Sequence, residues 1–232
     1  MDFSHIDIVS VVFQLIAFLF AISVHESAHA WMANRRGDPT ARMLGRITLN
    51  PIKHIDPIGT ILLPALGLYY GSGIFGWAKP TPVDPNNFKN PLVDDILTSV
   101  IGPISNFVIA TASLILLALI SLTSPLGHRL IAERGLYQAG LLTPPDSLLV
   151  PIVLFLDITM WLNILLGVFN LIPVPPLDGS HVLRHFLADP IRRAYDSFGM
   201  FGLLLLIVKG QPILAALINP PIHFYYSILA KF

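Results

Sequence analysis

Cysteine does not occur anywhere in the chain. Its absence excludes disulfides, iron–sulfur clusters, thiolate nucleophiles and thiolate metal ligands. Any metal site must then be built from His, Asp, Glu and water. Charge is the second scarcity. Only 12% of the 232 residues are Asp, Glu, Lys or Arg, against about 25% in soluble domains. Fourteen basic and fourteen acidic residues cancel, so no broad basic surface for nucleic acid is indicated. A basic n-region is missing ahead of the first apolar run, and no clear small-residue cleavage site follows it. That run therefore reads as a retained span, not a cleaved signal peptide. What is present is apolar: 54% of residues are hydrophobic and the mean hydropathy is +0.70. These proportions describe a membrane protein, with length for a single helical domain over residues 1–232.

A bilayer crossing needs about 20 mostly apolar residues. Four runs approach that length: 6–33, 96–122, 148–172 (with Asp157 inside it) and 198–218, the last broken by Lys209, Gly210 and Pro212. The run 58–70 has only 13 residues and contains Pro64 and Gly67. As a helix it reaches roughly 20 Å, short of a bilayer core. Residues 43–49 alternate loosely and contain Ile47, Thr48 and Leu49, which predicts a strand. Pro80, Pro82, Pro85 and Pro91 exclude a regular helix between them and predict an extended connector.

Basic residues set the expected topology. Residues 34–95 hold seven: Arg35, Arg36, Arg42, Arg46, Lys53, Lys79 and Lys89. Residues 173–196 hold Arg184, Arg192 and Arg193, whereas 123–147 hold only Arg129 and Arg134. The first two segments are expected in the cytosol and the third outside. Run 58–70 must then enter and leave on the cytosolic side, which agrees with its shortness. The expected fold is an all-α polytopic membrane protein. It has about four transmembrane helices, a short re-entrant segment at 58–70 and a small membrane-associated strand region.

One polar group interrupts the first run: His25-Glu26-Ser27-Ala28-His29. Ionisable groups inside a membrane are costly and mark functional sites. On a helix, residues i and i+4 share a face, so His25 and His29 can grip one ion. Glu26 beside them can take a proton from a water activated by the metal. A catalytic zinc needs a third protein ligand and an open position, although this spacing alone also fits cobalt or iron. The ligand must lie at matching depth, roughly 6–12 Å from the cytosolic end of the first helix. Asp178 qualifies. It follows the prolines of Asn170-Leu171-Ile172-Pro173-Val174-Pro175-Pro176-Leu177, which break the helix and let the chain turn back. The bland alternative for Asp178 is a helix N-cap.

Taken together, His25-Glu26-x-x-His29, Gly102-Pro103-x-x-Asn106 and Asn170-x-x-Pro173-x-Pro175-x-Leu177-Asp178-Gly179 resemble the site-2 protease family of intramembrane zinc metalloproteases. The stretch from Leu49 to Thr60 and the turn Gly76-Trp77-Ala78-Lys79-Pro80 resemble its compact prokaryotic branch. The resemblance covers about residues 8–190. Many members carry a PDZ domain, for which this chain has no room, and Ser180 stands where the family often has a second glycine. The resemblance implies that His25, His29 and Asp178 bind one zinc ion per chain. Glu26 would be the general base and then the proton donor to the leaving amine. Asn106 and Asn170 would hold the substrate backbone or the oxyanion. The implied partners are a transmembrane protein substrate and membrane lipid, and the implied location is the prokaryotic inner (plasma) membrane, with the site toward the cytosol. The competing expectation is a non-catalytic metal-binding scaffold or transporter built from the same residues, which would not need Glu26.

Overall fold

The computed structural model describes residues 8–69 and 76–232. Helix α1 (Ile8–Arg36) places Arg35 and Arg36 in its last turn, where positive charge favours a helix C-terminus. Gly37 follows with φ 115°, the backbone freedom that lets the chain turn sharply there. A short α2 (Thr40–Met43) comes next. Asp56 then caps a π-helical turn, Pro57–Leu62, by accepting from Ile58 N and Gly59 N, and this turn leads into α3 (Leu63–Tyr69). After residue 75 the chain is extended apart from one 3-10 turn, Pro85–Asn87, as the prolines require.

Asn90 caps the long α4 (Pro91–Thr123), with Pro91 at its start where the missing N–H costs nothing. Short α5 (Pro125–Ala132) and α6 (Arg134–Gln138) follow. The chain returns as α7 (Leu149–Asn170) and turns through the proline loop into α8 (Asp178–Arg184). It ends with α9 (Asp189–Lys209) and α10 (Gln211–Leu229).

The central unit is α1, α4 and α7 in mutual contact, with α10 against α7 and α4. Ala17, Phe18 and Ile22 of α1 pack with Leu162 of α7. Ala110, Leu114 and Leu117 of α4 pack with Met160 and Ile164 of α7 and Leu229 of α10. Small residues let these helices approach closely, and close contact drives association where lipid removes the hydrophobic incentive. Outward-facing side chains such as Ile8, Val108, Leu122 and Leu148 stay exposed, as they do on a lipid-facing surface. Asp157, the lone acid in run 148–172, is buried and accepts from Tyr226 Oη at 3.0 Å. That bond ties α10 to α7.

Among the described residues three helices are long and apolar enough to cross a membrane, Ile8–Arg36, Pro91–Thr123 and Leu149–Asn170. They match three of the expected spans. The fourth expected span, 198–218, is not one straight helix. Phe201–Lys209 and Gln211–Leu229 meet at 80°, and they add a fourth crossing only if the bent pair counts as one span. Gly210 closes the first piece on Leu206 O, and Pro212 at the start of the second has no N–H to continue the ladder.

The expected strand at 43–49 does not form, and no strand occurs among the described residues. Met43 ends α2, and Gly45, at φ 66°, turns the chain. The Arg46 side chain takes up backbone carbonyls that a neighbouring strand would otherwise use, bonding to Lys53 O, Lys79 O and Pro80 O. Alternating apolar residues there lack a pairing edge, and pairing is what makes a strand. Segment 58–70 is helical through Tyr69, with Pro57–Gly67 a short apolar helix. Its last residue lies outside the described residues.

Asp38 ties the region between α1 and α4 together. It is fully buried and accepts from Thr40 N (3.1 Å), Thr40 Oγ1 (2.5 Å), Asn87 Nδ2 (2.9 Å) and Asp84 N (2.8 Å). Burial opposes its ionisation, but these hydrogen bonds prevail and hold its pKa below the usual carboxylate value. A depressed folded-state pKa gives stability that is present above the unfolded value of about 3.9 and lost as pH falls through the lower folded value. Melting temperatures across pH about 5 to 3 should therefore fall for the wild type. Asp38→Asn should lower stability at neutral pH by about 1–3 kcal/mol and flatten the acid dependence. An unchanged acid limb in the variant would remove Asp38 from this role.

Candidate metal centre

His25 and His29 sit one turn apart on α1 and are buried, with their rings edge to face. Asp178 is the first residue of α8, delivered by the Pro173–Pro176 loop at the end of α7. Gly179 makes this close return possible, because a Cβ there would lie 2.2 Å from Leu171 O. Asp178 is not the N-cap; Leu177 holds that position, without a side-chain cap. Three atoms converge as a result. His25 Nε2 and His29 Nε2 are 3.0 Å apart, and Asp178 Oδ2 lies 3.1 and 3.4 Å from them.

The remaining ring nitrogens show what those atoms carry. His29 Nδ1 lies 2.6 Å from Thr98 O, a carbonyl that can only accept. The Nδ1 of His29 must therefore donate, which leaves a lone pair on Nε2 of the neutral ring. His25 is fixed by a longer relay. Asn163 Nδ2 donates to Thr159 O at 2.9 Å, so Asn163 Oδ1 is free to accept from Asn106 Nδ2, also at 2.9 Å. Asn106 Oδ1 then faces His25 Nδ1 at 2.6 Å. The chain of bonds ends in a backbone acceptor, so its direction is set, and His25 Nδ1 is also a donor. Two neutral imidazole lone pairs and a carboxylate oxygen with no hydrogen-bond partner thus point at one spot. A proton can bridge one such pair; a cation satisfies all three. Tetrahedral zinc with bonds near 2.0–2.1 Å has ligand–ligand edges of about 3.3 Å, close to the separations found here. Among the described residues this is the one His/Asp/Glu group with metal-binding geometry.

Gly102 of α4 forms the floor. A Cβ placed on it would lie 2.3 Å from His29 Nε2 and 2.7 Å from His25 Cε1, so a side chain would occupy the space the rings need. Glu26 lies beside the cluster, its Oε2 accepting from Thr81 N at 2.8 Å and Thr81 Oγ1 at 2.7 Å. Helix α8 is moored to α4 through Asp95 Oδ2, 2.7 Å from His185 Nε2, with His181 Nδ1 3.7 Å from Asp95 Oδ1. His181 and His185 thus serve a helix contact.

The structure brings His25, His29 and Asp178 together, sets Glu26 next to them and places Asn106 behind His25. Asn170 is elsewhere engaged, its Nδ2 donating to Leu166 O at 3.0 Å on its own helix. Sequence reasoning missed Thr98, which acts through a backbone carbonyl and so leaves no side-chain signal. It missed Asn163, the next link behind Asn106. It also missed Thr81, whose one hint is its place between two prolines that have no N–H of their own.

Residues 13–208 match the model of peptidase family M50. The chain is 36% identical over 210 residues to the "Putative zinc metalloprotease YwhC" of Bacillus subtilis, covering 88% of this chain and 85% of that protein. It is 27% identical to the "Putative zinc metalloprotease Rip2" of Mycolicibacterium smegmatis and 29% identical to that of Mycobacterium tuberculosis strain H37Rv. Those two matches cover 82% of this chain and 63% of each relative. No solved structure matches significantly. The chain belongs to peptidase family M50, the site-2 protease family, and is an integral membrane metalloprotease.

Proposed function

We propose that this protein is a zinc-dependent intramembrane endopeptidase that hydrolyses peptide bonds in transmembrane segments of other membrane proteins. One zinc ion per chain is held by His25, His29 and Asp178. The observation that carries this reading is the convergence of two lone-pair imidazoles and a partnerless buried carboxylate oxygen between helices of membrane-spanning length.

When bound, zinc acidifies a water molecule and polarises the scissile carbonyl. Glu26 takes the proton of the attacking water and passes it to the leaving amine. Asn106 and Thr98 hold the two rings in the ligating tautomer, the supporting role that partners of metal-bound histidines usually play. The resemblance assigns substrate holding to Asn106 and Asn170. Asn106 is engaged with His25 and Asn163, so the substrate backbone falls more readily to Asn170, which need only exchange its bond to Leu166 O.

A helical substrate hides its carbonyls in its own hydrogen bonds and must unwind before attack. A groove of about 420 Å³ beside the HExxH turn, bounded by Val24, Ala28 and Trp31 of α1 and Ile101, Ile104 and Val108 of α4, supports entry from the lipid. The lysine and arginine distribution supports a cytosol-facing site in the prokaryotic inner membrane, with 57–69 as a re-entrant element. Lipid is the solvent partner of the outer surface.

Metal content of the detergent-purified protein tests the reading. Elemental analysis is expected to find one zinc per wild-type chain and at most about a tenth of that in Asp178→Ala. Undiminished zinc in the variant would remove Asp178 from the ligand set, and zinc-free wild type would end the hydrolase reading.

A further inference from the structure

We infer that Thr81 is a positioning residue for Glu26, and that the connector carrying it is built to hold that one carboxylate in register with the metal ligands. The inference rests on the proposed role of Glu26 as the base.

Thr81 is separated from Glu26 by 55 positions, yet three contacts join them. Besides the two bonds to Oε2, Thr81 Oγ1 lies 3.0 Å from Glu26 O. The local sequence explains the fit. Pro80 and Pro82 flank Thr81. Each proline lacks an N–H and has a fixed φ, and the residue before a proline is pushed into extended backbone. Thr81 therefore owns the sole N–H of the triplet, in a preset conformation, and that N–H is given to Glu26.

The connector is itself anchored. Lys79 N donates to His54 O at 2.8 Å, Trp77 N donates to Gly59 O at 3.2 Å, and Thr60 Oγ1 donates to Trp77 O at 2.8 Å. Gly76 allows this approach, since a Cβ on it would lie 1.9 Å from Gly59 O. The buried Arg46 guanidinium joins Lys53 O to Lys79 O and Pro80 O, the carbonyls just before Thr81. The region expected to be a strand thus supplies the clamp that fixes the connector.

A glutamate has three side-chain torsions, and ordering it costs entropy that grows with each free rotor. An unheld carboxylate next to a metal centre can also turn away or bind the ion itself. Two donors on Oε2 oppose the turn away from the centre, and proton handling then falls to Oε1. Preorganisation of this kind speeds a reaction without touching the substrate.

Benzohydroxamate serves as the probe, because its hydroxyl gives a proton to the neighbouring base when the group binds zinc. Its dissociation constant is measured on the zinc-loaded full chain in detergent for wild type, Thr81→Val, Thr81→Ser, Glu26→Ala and the Thr81→Val/Glu26→Ala double variant. Thr81→Val is expected to weaken binding about tenfold in the wild-type background, the order of a hydrogen bond to a charged group. It should change binding less than about twofold once Glu26 is absent, because its effect runs through Glu26. Thr81→Ser, which keeps the hydroxyl, should stay within about twofold of wild type. Zinc content should be unchanged in all of them. In metal-free protein, amide exchange of Thr81 should be slow in the wild type and fast in Glu26→Ala. An equal loss on Thr81→Val with and without Glu26, or an exchange rate indifferent to Glu26, overturns the inference. Zinc-free wild type overturns the proposed function instead.

Discussion

Replacing Glu26 by Gln is expected to abolish proteolysis while the metal stays bound. Glutamine is nearly isosteric, and its amide oxygen can still accept from Thr81 N and Oγ1, the two donors that hold Oε2. The ligand set His25, His29 and Asp178 is untouched. What is lost is the ability to accept and return a proton. General acid–base groups contribute about 10²–10⁴-fold, so kcat should fall by at least that range, a barrier increase of about 3–5 kcal/mol. Zinc analysis and a cleavage assay on the same preparation check the result. Loss of activity together with zinc would mean that Glu26 acts as a ligand or a structural support. Full activity without the carboxylate would remove Glu26 from the role of base, and bound zinc with no cleavage even in the wild type would favour a scaffold or transporter.

The second large effect is expected at Gly102. Alanine adds one carbon, yet that carbon would lie 2.3 Å from His29 Nε2, 2.6 Å from His29 Cε1 and 2.7 Å from His25 Cε1. The rings cannot give way cheaply, because Thr98 O and Asn106 Oδ1 anchor their far sides at 2.6 Å. Displacing them would dissolve the convergence on Asp178. Metal affinity should therefore fall by more than the roughly 10–100-fold typical of losing a supporting partner. Overpacking should lower stability by about 1–3 kcal/mol. Gly135→Ala is the control, since its added carbon meets nothing within 4 Å. Normal zinc in Gly102→Ala would show that the rings have room that the structure denies them.

His25, Glu26 and His29 were legible in the sequence because helical spacing alone puts i and i+4 on one face, and an apolar run makes such a cluster hard to explain otherwise. Asp178 was legible for a different reason. Cysteine is absent, the ligand had to be His, Asp or Glu, and the proline-broken return brought one acid to the correct side. Three spans followed from run length. These inferences need only local geometry and the cost of polar groups in lipid.

Other features depend on partners distant in sequence, and no local pattern reports them. Residues 43–49 have a strand's alternation, but a strand exists through its neighbour, and Arg46 binds the available carbonyls instead. The break in run 198–218 at Lys209, Gly210 and Pro212 was visible in the sequence, but not the 80° between Phe201–Lys209 and Gln211–Leu229. The relay from Thr159 through Asn163 and Asn106 to His25 spans α7, α4 and α1. The sequence by itself determined the membrane class and singled out the four residues of the proposed reaction centre. Only the tertiary structure decided which nitrogen of each histidine faces the candidate metal position, why position 102 must be glycine and what holds Glu26. Those are properties of atoms that meet across helices, and contact at 2–4 Å is set by packing, not by spacing along the chain.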